Sequence, residues 1–151
     1  MPGSARTAPP LDPVPEASPD APPGARPDAP GSLAAHNRSL GARGEDIAAR
    51  HLVARGLVLL DRNWRCDAGE LDLVLRDGQV LVACEVKTRT SDAFGSPLEA
   101  VSPEKAARVR RLAVRWVREH AARPVDIRVD VVGVLAPPGR PVEVEHVEAV
   151  G

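Results

Sequence analysis

The sequence predicts one α/β domain over residues 39–136, a central mixed sheet with flanking helices in the order α-β-β-β-α-β. Three observations predict it. Asp77-Gly78 separates two segments of alternating character, which indicates a hairpin. A helix with a strong amino-terminal signal begins near Ser102, and a β-rich run follows it at 127–135. A strand, a helix and a further strand in succession are typical of parallel pairing through a right-handed crossover.

Both ends of the chain differ from this domain in composition. Residues 1–38 hold ten of the sixteen prolines and lack apolar periodicity, which predicts a disordered arm. Residues 137–151 form a tail, in which the alternation at 142–147 indicates an edge strand. No segment resembles a signal peptide or reaches the roughly 20 apolar residues of a membrane span. We therefore expect a cytoplasmic protein with no membrane partner.

The domain is predicted to begin with a helix over 44–55 that Gly56 stops. Glu45 lies on the apolar stripe of this helix, which makes it a candidate site residue, because acids are rarely buried. An apolar run at 57–60 is predicted as the first strand, and a polar turn at 63–65 as its exit. The apolar members of the helical stripe are Ala48, Ala49 and Leu52.

The second and third strands are predicted to form the hairpin closed by Asp77-Gly78. A two-residue turn at this place pairs Arg76 with Gln79. Counting outward then places apolar residues opposite each other on one face, whereas a slip of one residue would mix the two faces. These apolar pairs are Leu75 with Val80, Leu73 with Val82, and Leu71 with Cys84, which is interpreted as a core residue.

The same register collects charged residues on the opposite face of the hairpin. It places Glu70 opposite Glu85, Asp72 on the diagonal from Glu85, and Lys87 one step beyond. Such carboxylates repel each other unless a cation lies between them, and all-oxygen ligands suit magnesium or manganese. Glu70, Asp72 and Glu85 are therefore predicted metal ligands, and Lys87 is predicted to hold a water or a phosphate. The alternative is a solvated sheet face with alternating charges.

The second helix is predicted from the cap Ser102 and Pro103 to about Ala121. Its apolar stripe, predicted to be buried, consists of Val109, Leu112, Ala113 and Trp116. An arginine stripe on another side of this helix either follows a phosphate backbone or is the solvated face. It consists of Arg108, Arg111, Arg115 and Arg118. Lysine accounts for two of the twenty basic residues, at 87 and 105, which hints at a need for a compact ammonium there. The candidate nucleic-acid-binding residues are Arg89, Lys105, Arg108, Arg111 and Arg115.

Short motifs occur in a fixed order along residues 40–135. They are Gly44-Glu45, Asn63 with Arg65, Gly69-Glu70-Leu71-Asp72, Glu85-Val86-Lys87-Thr88-Arg89, Phe94-Gly95, Lys105 and Arg128-Val129-Asp130-Val131-Val132. In this order they resemble the YraN family, a bacterial family similar to restriction-endonuclease-like nucleases and archaeal Holliday junction resolvases. The resemblance implies a three-layer restriction-endonuclease-like core and a metal-nuclease site. Its matching catalytic positions are Glu45, Asp72, Glu85 and Lys87.

The motifs favour an enzyme that cleaves nucleic-acid phosphodiesters with magnesium or manganese, structure-selective on DNA. One alternative is a non-catalytic nucleic-acid-binding or adaptor module that keeps the nuclease fold. Another is a structural protein whose arginine helix binds an acidic partner. The complete set of Asp72, Glu85 and Lys87 favours the enzyme, because a degenerate module has no need to keep uncompensated carboxylates together. Paired cuts of the resolvase type would require a homodimer.

Overall fold

A computed structural model describes residues 32–91, 93, 99 and 101–150, apart from the side chains at 32–35 and 37. Residues 1–31 of the predicted arm and the Phe94-Gly95 motif lie outside the described residues. No helix in the described part is long and apolar enough to cross a membrane. The elements are α1 (Ser32–Ala54), β1 (Val58–Cys66), β2 (Gly69–Asp77), β3 (Val80–Arg89), α2 (Pro103–Glu119), β4 (Asp126–Leu135) and β5 (Glu143–Val147).

The five strands form one mixed sheet in the order β1-β2-β3-β4-β5. The first three strands are antiparallel neighbours, β4 runs parallel to β3, and β5 is antiparallel to β4 at the edge. The parallel pair arises because α2 returns the chain to the same end of the sheet. The predicted order of elements is confirmed, and β5 extends it. Strand β3, which carries Glu85 and Lys87, is therefore the central strand.

Each face of the sheet buries one apolar cluster against one helix, which gives the three layers. Because side chains alternate along a strand, Leu73 and Val74 of β2 pack on opposite helices. Both predicted helical stripes are buried, and so is Cys84. Helix α1 contributes Ala48, Ala49 and Leu52 to one cluster, and α2 contributes Val109, Leu112, Ala113 and Trp116 to the other.

Helix α1 begins at Ser32, twelve residues before the predicted start at Gly44. Residues 32–38 are therefore helical, although their composition led us to assign them to the arm. The last proline before the helix is Pro30, and residues 32–38 include Leu33, Ala34, Ala35 and Arg38, which are residue types with high helix propensity. The search for apolar periodicity missed this part of the helix, because the segment has no apolar stripe. Helix propensity favours a helix whether or not one of its faces is apolar.

The polar turn predicted at 63–65 is wrong, because these residues continue β1 as far as Cys66. The register of β1 against β2 shifts between Leu59 and Asp61, and Asn63 has a φ of 50°. An irregularity of this kind bends a strand without ending it. Trp64 lies opposite Leu71 and packs against the α2 cluster.

The register of the central hairpin differs from the predicted register by two residues. Asp77 pairs with Val80, so the turn consists of Gly78 and Gln79. Gly78 has a φ of 59°, and a glycine with positive φ at the first central position is the pattern of a type II′ turn. The prediction assumed that Asp77 and Gly78 were the central pair, as in a type I′ turn. Since the shift is even, the apolar residues at 73–75 and 80–84 keep their predicted faces. Leu71, predicted on the face of Leu73, is the exception, because it lies beyond the last residue paired with β3 and packs in the α2 cluster.

Candidate functional site

The site lies where β2 and β3 stop pairing. The last backbone pair joins Leu73 to Cys84. One residue further on, the Asp72 carboxylate accepts a hydrogen bond from the backbone N of Val86, with an N···Oδ2 distance of 2.9 Å. The corrected register, extended by one step, brings Asp72 opposite Glu85. The predicted direct pairing of Glu70 with Glu85 is therefore wrong, and Asp72 is the closer partner of Glu85.

Helix α1 brings Glu45 to the same place through the close approach of Gly44 to β3. A Cβ built on Gly44 would lie 1.8 Å from Thr88 Oγ1 and 2.8 Å from Thr88 Cβ. No real side chain tolerates such distances, so glycine is required here for space. The sequence signal was the glycine directly before Glu45, but its partner Thr88 became identifiable only from the packing of α1 on β3.

Two cavities meet at the carboxylates. The smaller one, of about 380 Å³, is lined by all four predicted catalytic residues. The larger one, of about 910 Å³, borders α2 and the β1–β2 turn and is lined by several cations. Three acidic residues, Glu70, Asp72 and Glu85, line both cavities and so form their common wall. The cations of the larger cavity are Arg65, Lys105, Arg108 and Arg111.

The carboxyl group of Asp72 is strongly perturbed. Burial and the negative charge of Glu85 raise the pKa of Asp72 from 3.8 to about 7, and Glu45 and Glu70 add to the rise. The hydrogen bond from Val86 opposes these effects without cancelling them. A carboxyl perturbed by burial and by neighbouring acids is typical of functional sites. A cation placed among these carboxylates would lower the pKa again.

Two lysines hold the carboxylate of Glu85. The Nζ atoms of Lys105 and Lys87 lie 2.9 Å and 3.5 Å from the same oxygen, Glu85 Oε1. The hydrogen bond from Lys105, together with burial, lowers the pKa of Lys87. Burial by itself lowers the pKa of Lys105, but the hydrogen bonds of Lys105 to Glu85 and Lys87 outweigh this effect and raise the pKa. Lys105 was predicted to bind nucleic acid, and the structure brings it into contact with the catalytic cluster.

The rim of the site contains an ion pair that the sequence did not indicate. Glu70, a predicted metal ligand, pairs with Arg65 across β1 and β2, with an Oε2···Nε distance of 3.2 Å. Both side chains are more than half exposed. Glu70 therefore lies at the rim of the site, and Arg65 joins the cations of the larger cavity.

The predicted nucleic-acid-binding arginines differ in their surroundings. Arg108 donates to the carbonyl oxygen of Ala68 at 3.1 Å and lines the larger cavity together with Arg111. Arg115 is paired with Asp67 in the β1–β2 turn and with Glu119 one helical turn further on. Arg89 is half-buried near the end of β3. The stripe is thus divided into a part beside the cavity and a part that forms ion pairs within the chain.

Comparison with known proteins places these residues in a family. Residues 44–134 match the model of the Uncharacterised protein family UPF0102, and all four predicted catalytic residues lie inside the match. The chain belongs to this family. The predicted YraN membership is thereby confirmed.

UPF0102 proteins of several bacteria resemble most of this chain. A UPF0102 protein of Nocardioides sp. is 58% identical over 120 residues, which cover 80% of this chain and 97% of that relative. A UPF0102 protein of Frankia alni is 61% identical over 108 residues, covering 72% and 90%. A UPF0102 protein of Streptomyces coelicolor is 54% identical over 115 residues, covering 74% and 88%.

The donor atoms of this UPF0102 site have the chemistry of a divalent-cation site. Glu45, Asp72 and Glu85 bring carboxylate oxygens to one cavity, and magnesium and manganese prefer oxygen ligands. Within the described residues, no three histidine, cysteine or acidic side chains converge closely enough to hold an ion. Two of these acids are engaged in ion pairs, because Glu85 contacts two lysines and Glu70 contacts Arg65. By its chemistry, a set of carboxylate oxygens, the donor set fits such an ion.

Proposed function

We propose that this UPF0102 protein is a metal-dependent nuclease that hydrolyses phosphodiester bonds of nucleic acid, with DNA as its substrate. The observation that carries the proposal is the meeting of Glu45, Asp72, Glu85 and Lys87 in one cavity. These residues come from α1, β2 and β3, so the whole fold is needed to assemble them. Crowding buried carboxylates opposes folding, and sites that bind ions or perform acid–base chemistry are where proteins keep such arrangements.

Each residue of the cavity has a role in this proposal. Asp72 and Glu85 would hold the cation, with Glu45 as the third carboxylate beside them. When bound, the ion would supply an activated water and would stabilise the charge that develops on the phosphate. Lys87, which lies 3.5 Å from Glu85 Oε1, holds the attacking water or a phosphate oxygen next to these ligands. The arginines of the larger cavity bind neighbouring phosphates of the strand.

The test is a cleavage assay with the full chain on linear duplex, single-stranded, flapped and four-way DNA, in magnesium, manganese or chelator. Cleavage of at least one substrate is expected with either metal and none in chelator. Asp72→Asn should abolish both cleavage and the rise in Tm that manganese produces by binding the folded state. Lys87→Met should lower cleavage by about a hundredfold or more while keeping the manganese effect, because a lysine is not a ligand. Glu145→Gln, at an exposed position of β5, is the matched control.

A specific observation favours a second function. Lys105 and Lys87 already neutralise the charge of Glu85 without a metal ion. A binding module that had lost its metal would require such neutralisation. DNA binding without cleavage, together with a wild-type Tm indifferent to millimolar manganese, would support this non-catalytic module. A chain that neither binds nor cleaves any of the four substrates would support the structural alternative.

A further inference from the structure

Lys105 reaches the carboxylates from a helix, whereas its neighbour Lys87 belongs to the central strand. It is the third residue of α2, and its backbone N donates to the capping Ser102 Oγ at 3.1 Å. The cap and Pro103 hold the backbone of this first turn in place. From there, Nζ approaches Glu85 Oε1 to 2.9 Å, closer than the 3.5 Å of Lys87. The shorter of the two lysine contacts of Glu85 therefore comes from α2.

The same side chain also lines the larger cavity, beside Arg108 and Arg111. It is 35% exposed, whereas Glu85 is 15% exposed, so the lysine lies at the open boundary of the cluster. Its ammonium group has two kinds of partner within reach of a flexible four-carbon chain: the Glu85 carboxylate and an anion in the cationic cavity. No other described residue both pairs with Glu85 and lines the larger cavity.

We propose that Lys105 is the internal counter-ion of the carboxylate cluster and that it changes partner when a divalent cation binds. Without the cation, its ammonium neutralises Glu85. A cation held by Asp72 and Glu85 replaces the ammonium, which then joins Arg108 and Arg111 as a ligand for a substrate phosphate. The inference rests on the proposed function, because it requires a divalent cation at Asp72 and Glu85.

The exchange explains a feature of the site and predicts a coupling. In the described residues the carboxylates do not converge as an ion site, and Glu85 is paired with Lys105. The exchange requires both features of the state without the cation. Since the ammonium and the cation compete for the same oxygen, removing the lysine should strengthen cation binding. The released ammonium should strengthen phosphate binding, so cation and nucleic acid should each favour the binding of the other.

The experiment titrates manganese into the full chain by calorimetry, with no nucleic acid present. Lys105→Met should bind manganese roughly fivefold more tightly than the wild type, as expected for the loss of one competing, partly exposed ion pair. Lys105→Arg keeps the charge and should bind manganese like the wild type. Arg111→Met is the matched control, because Arg111 lies on the same helix and lines the same cavity without pairing with Glu85.

A second measurement tests the coupling between manganese binding and nucleic-acid binding. It determines the affinity for a labelled single-stranded oligonucleotide, and it uses the Lys87→Met variant so that the oligonucleotide is not cleaved. Manganese should increase the affinity of this variant for the oligonucleotide, and adding Lys105→Met should remove most of the increase. Equal manganese affinities of wild type and Lys105→Met would overturn the exchange and leave the nuclease proposal standing. Absence of manganese binding in both proteins would overturn both. The remaining outcome is that Lys105→Met lowers Tm by the same amount in chelator and in manganese while its manganese affinity equals that of the wild type. That result would assign Lys105 a structural role and would also overturn the exchange.

Discussion

At the level of single residues, the protonation of Asp72 links the site to the stability of the fold. Its pKa is raised from 3.8 to about 7 by burial and by Glu85, whereas in the unfolded chain the carboxyl titrates near its ordinary value. Between these two values the folded chain binds a proton that the unfolded chain releases. The contribution of Asp72 to stability is thus fully present below about pH 4 and is lost as the pH rises through 7.

We therefore expect the free energy of unfolding in chelator to fall by about 1 kcal/mol between pH 6 and pH 8 through this one group. Asp72→Asn, which is nearly isosteric and does not titrate, should lack this part of the pH dependence. Urea denaturation at both pH values measures the difference. Glu145→Gln is again the control and should follow the wild type. A pH dependence that is identical in wild type and Asp72→Asn would contradict the raised pKa.

At the level of elements, two glycines of α1 have opposite surroundings. A Cβ added at Gly44 would collide with Thr88 of β3, whereas one added at Gly41 would meet no atom within 4 Å. Gly44 therefore sets the distance between α1 and β3, and with it the position of Glu45. Gly41 has no such role and only lowers the helix propensity of α1.

Substituting each of these glycines with alanine should separate the two roles. Gly41→Ala should stabilise the protein by about 0.5–1 kcal/mol, because alanine favours the helix. Gly44→Ala should destabilise it by about 1–3 kcal/mol through overpacking and should reduce cleavage by displacing Glu45. Thr88→Ala, which removes the nearest atom, should recover part of that stability. Urea denaturation measures all three, and equal effects of the two glycine substitutions would contradict the close approach.

The arginines of α2 provide a second prediction at this level. Arg108→Gln and Arg111→Gln should weaken binding to DNA, and each should reduce the slope of log affinity against log salt by about 1, because each removes one cation that neutralises a phosphate. Arg115→Gln should change the slope less, because Arg115 is already paired with Asp67 and Glu119. Fluorescence anisotropy at several salt concentrations measures the slopes. Equal slopes for all three variants would place the binding surface elsewhere.

At the level of the whole molecule, one buried carboxylate connects several elements. Asp130 of β4 is fully buried and accepts two hydrogen bonds from Arg128, at 2.9 and 3.1 Å. It also accepts from His146 Nε2 at 2.8 Å and from the backbone N of Ala149 at 3.1 Å. The other ring nitrogen of His146 lies 3.0 Å from Nη1 of Arg55, which follows α1. Asp130 thus joins the end of α1, β5 and the carboxy-terminal segment to the central sheet.

Replacing Asp130 should therefore affect the whole fold. Asp130→Asn should destabilise the protein by about 3 kcal/mol, because it leaves the half-buried Arg128 with less compensation and replaces the acceptor oxygen of either His146 or Ala149 with an NH2 donor. Asp126→Asn, at an exposed position of the same strand, should change stability by less than about 0.5 kcal/mol. Urea denaturation measures both. A small, equal effect of the two substitutions would show that the network does not stabilise the fold.

Local patterns in the sequence were sufficient to predict the order of elements, the buried stripes of both helices and the cap of α2. These features depend on residues within a few positions of each other, whose spacing follows the periods of helix and strand. The family was also predictable, because the motif residues occur in a fixed order along the chain. The faces of the apolar hairpin residues at 73–75 and 80–84 were predicted correctly for the same local reason.

The register of the hairpin, the long amino-terminal part of α1 and the meeting of Lys105 with Glu85 became known only from the folded chain. The local sequence suits both a type I′ turn at Asp77-Gly78 and a type II′ turn at Gly78-Gln79. The folded chain has the second, and the choice depends on how the two apolar clusters pack on the sheet. Lys105 and Glu85 belong to elements whose separation is set by the packing of α2. Contacts of this kind join distant parts of the chain, so local spacing contains no information about them.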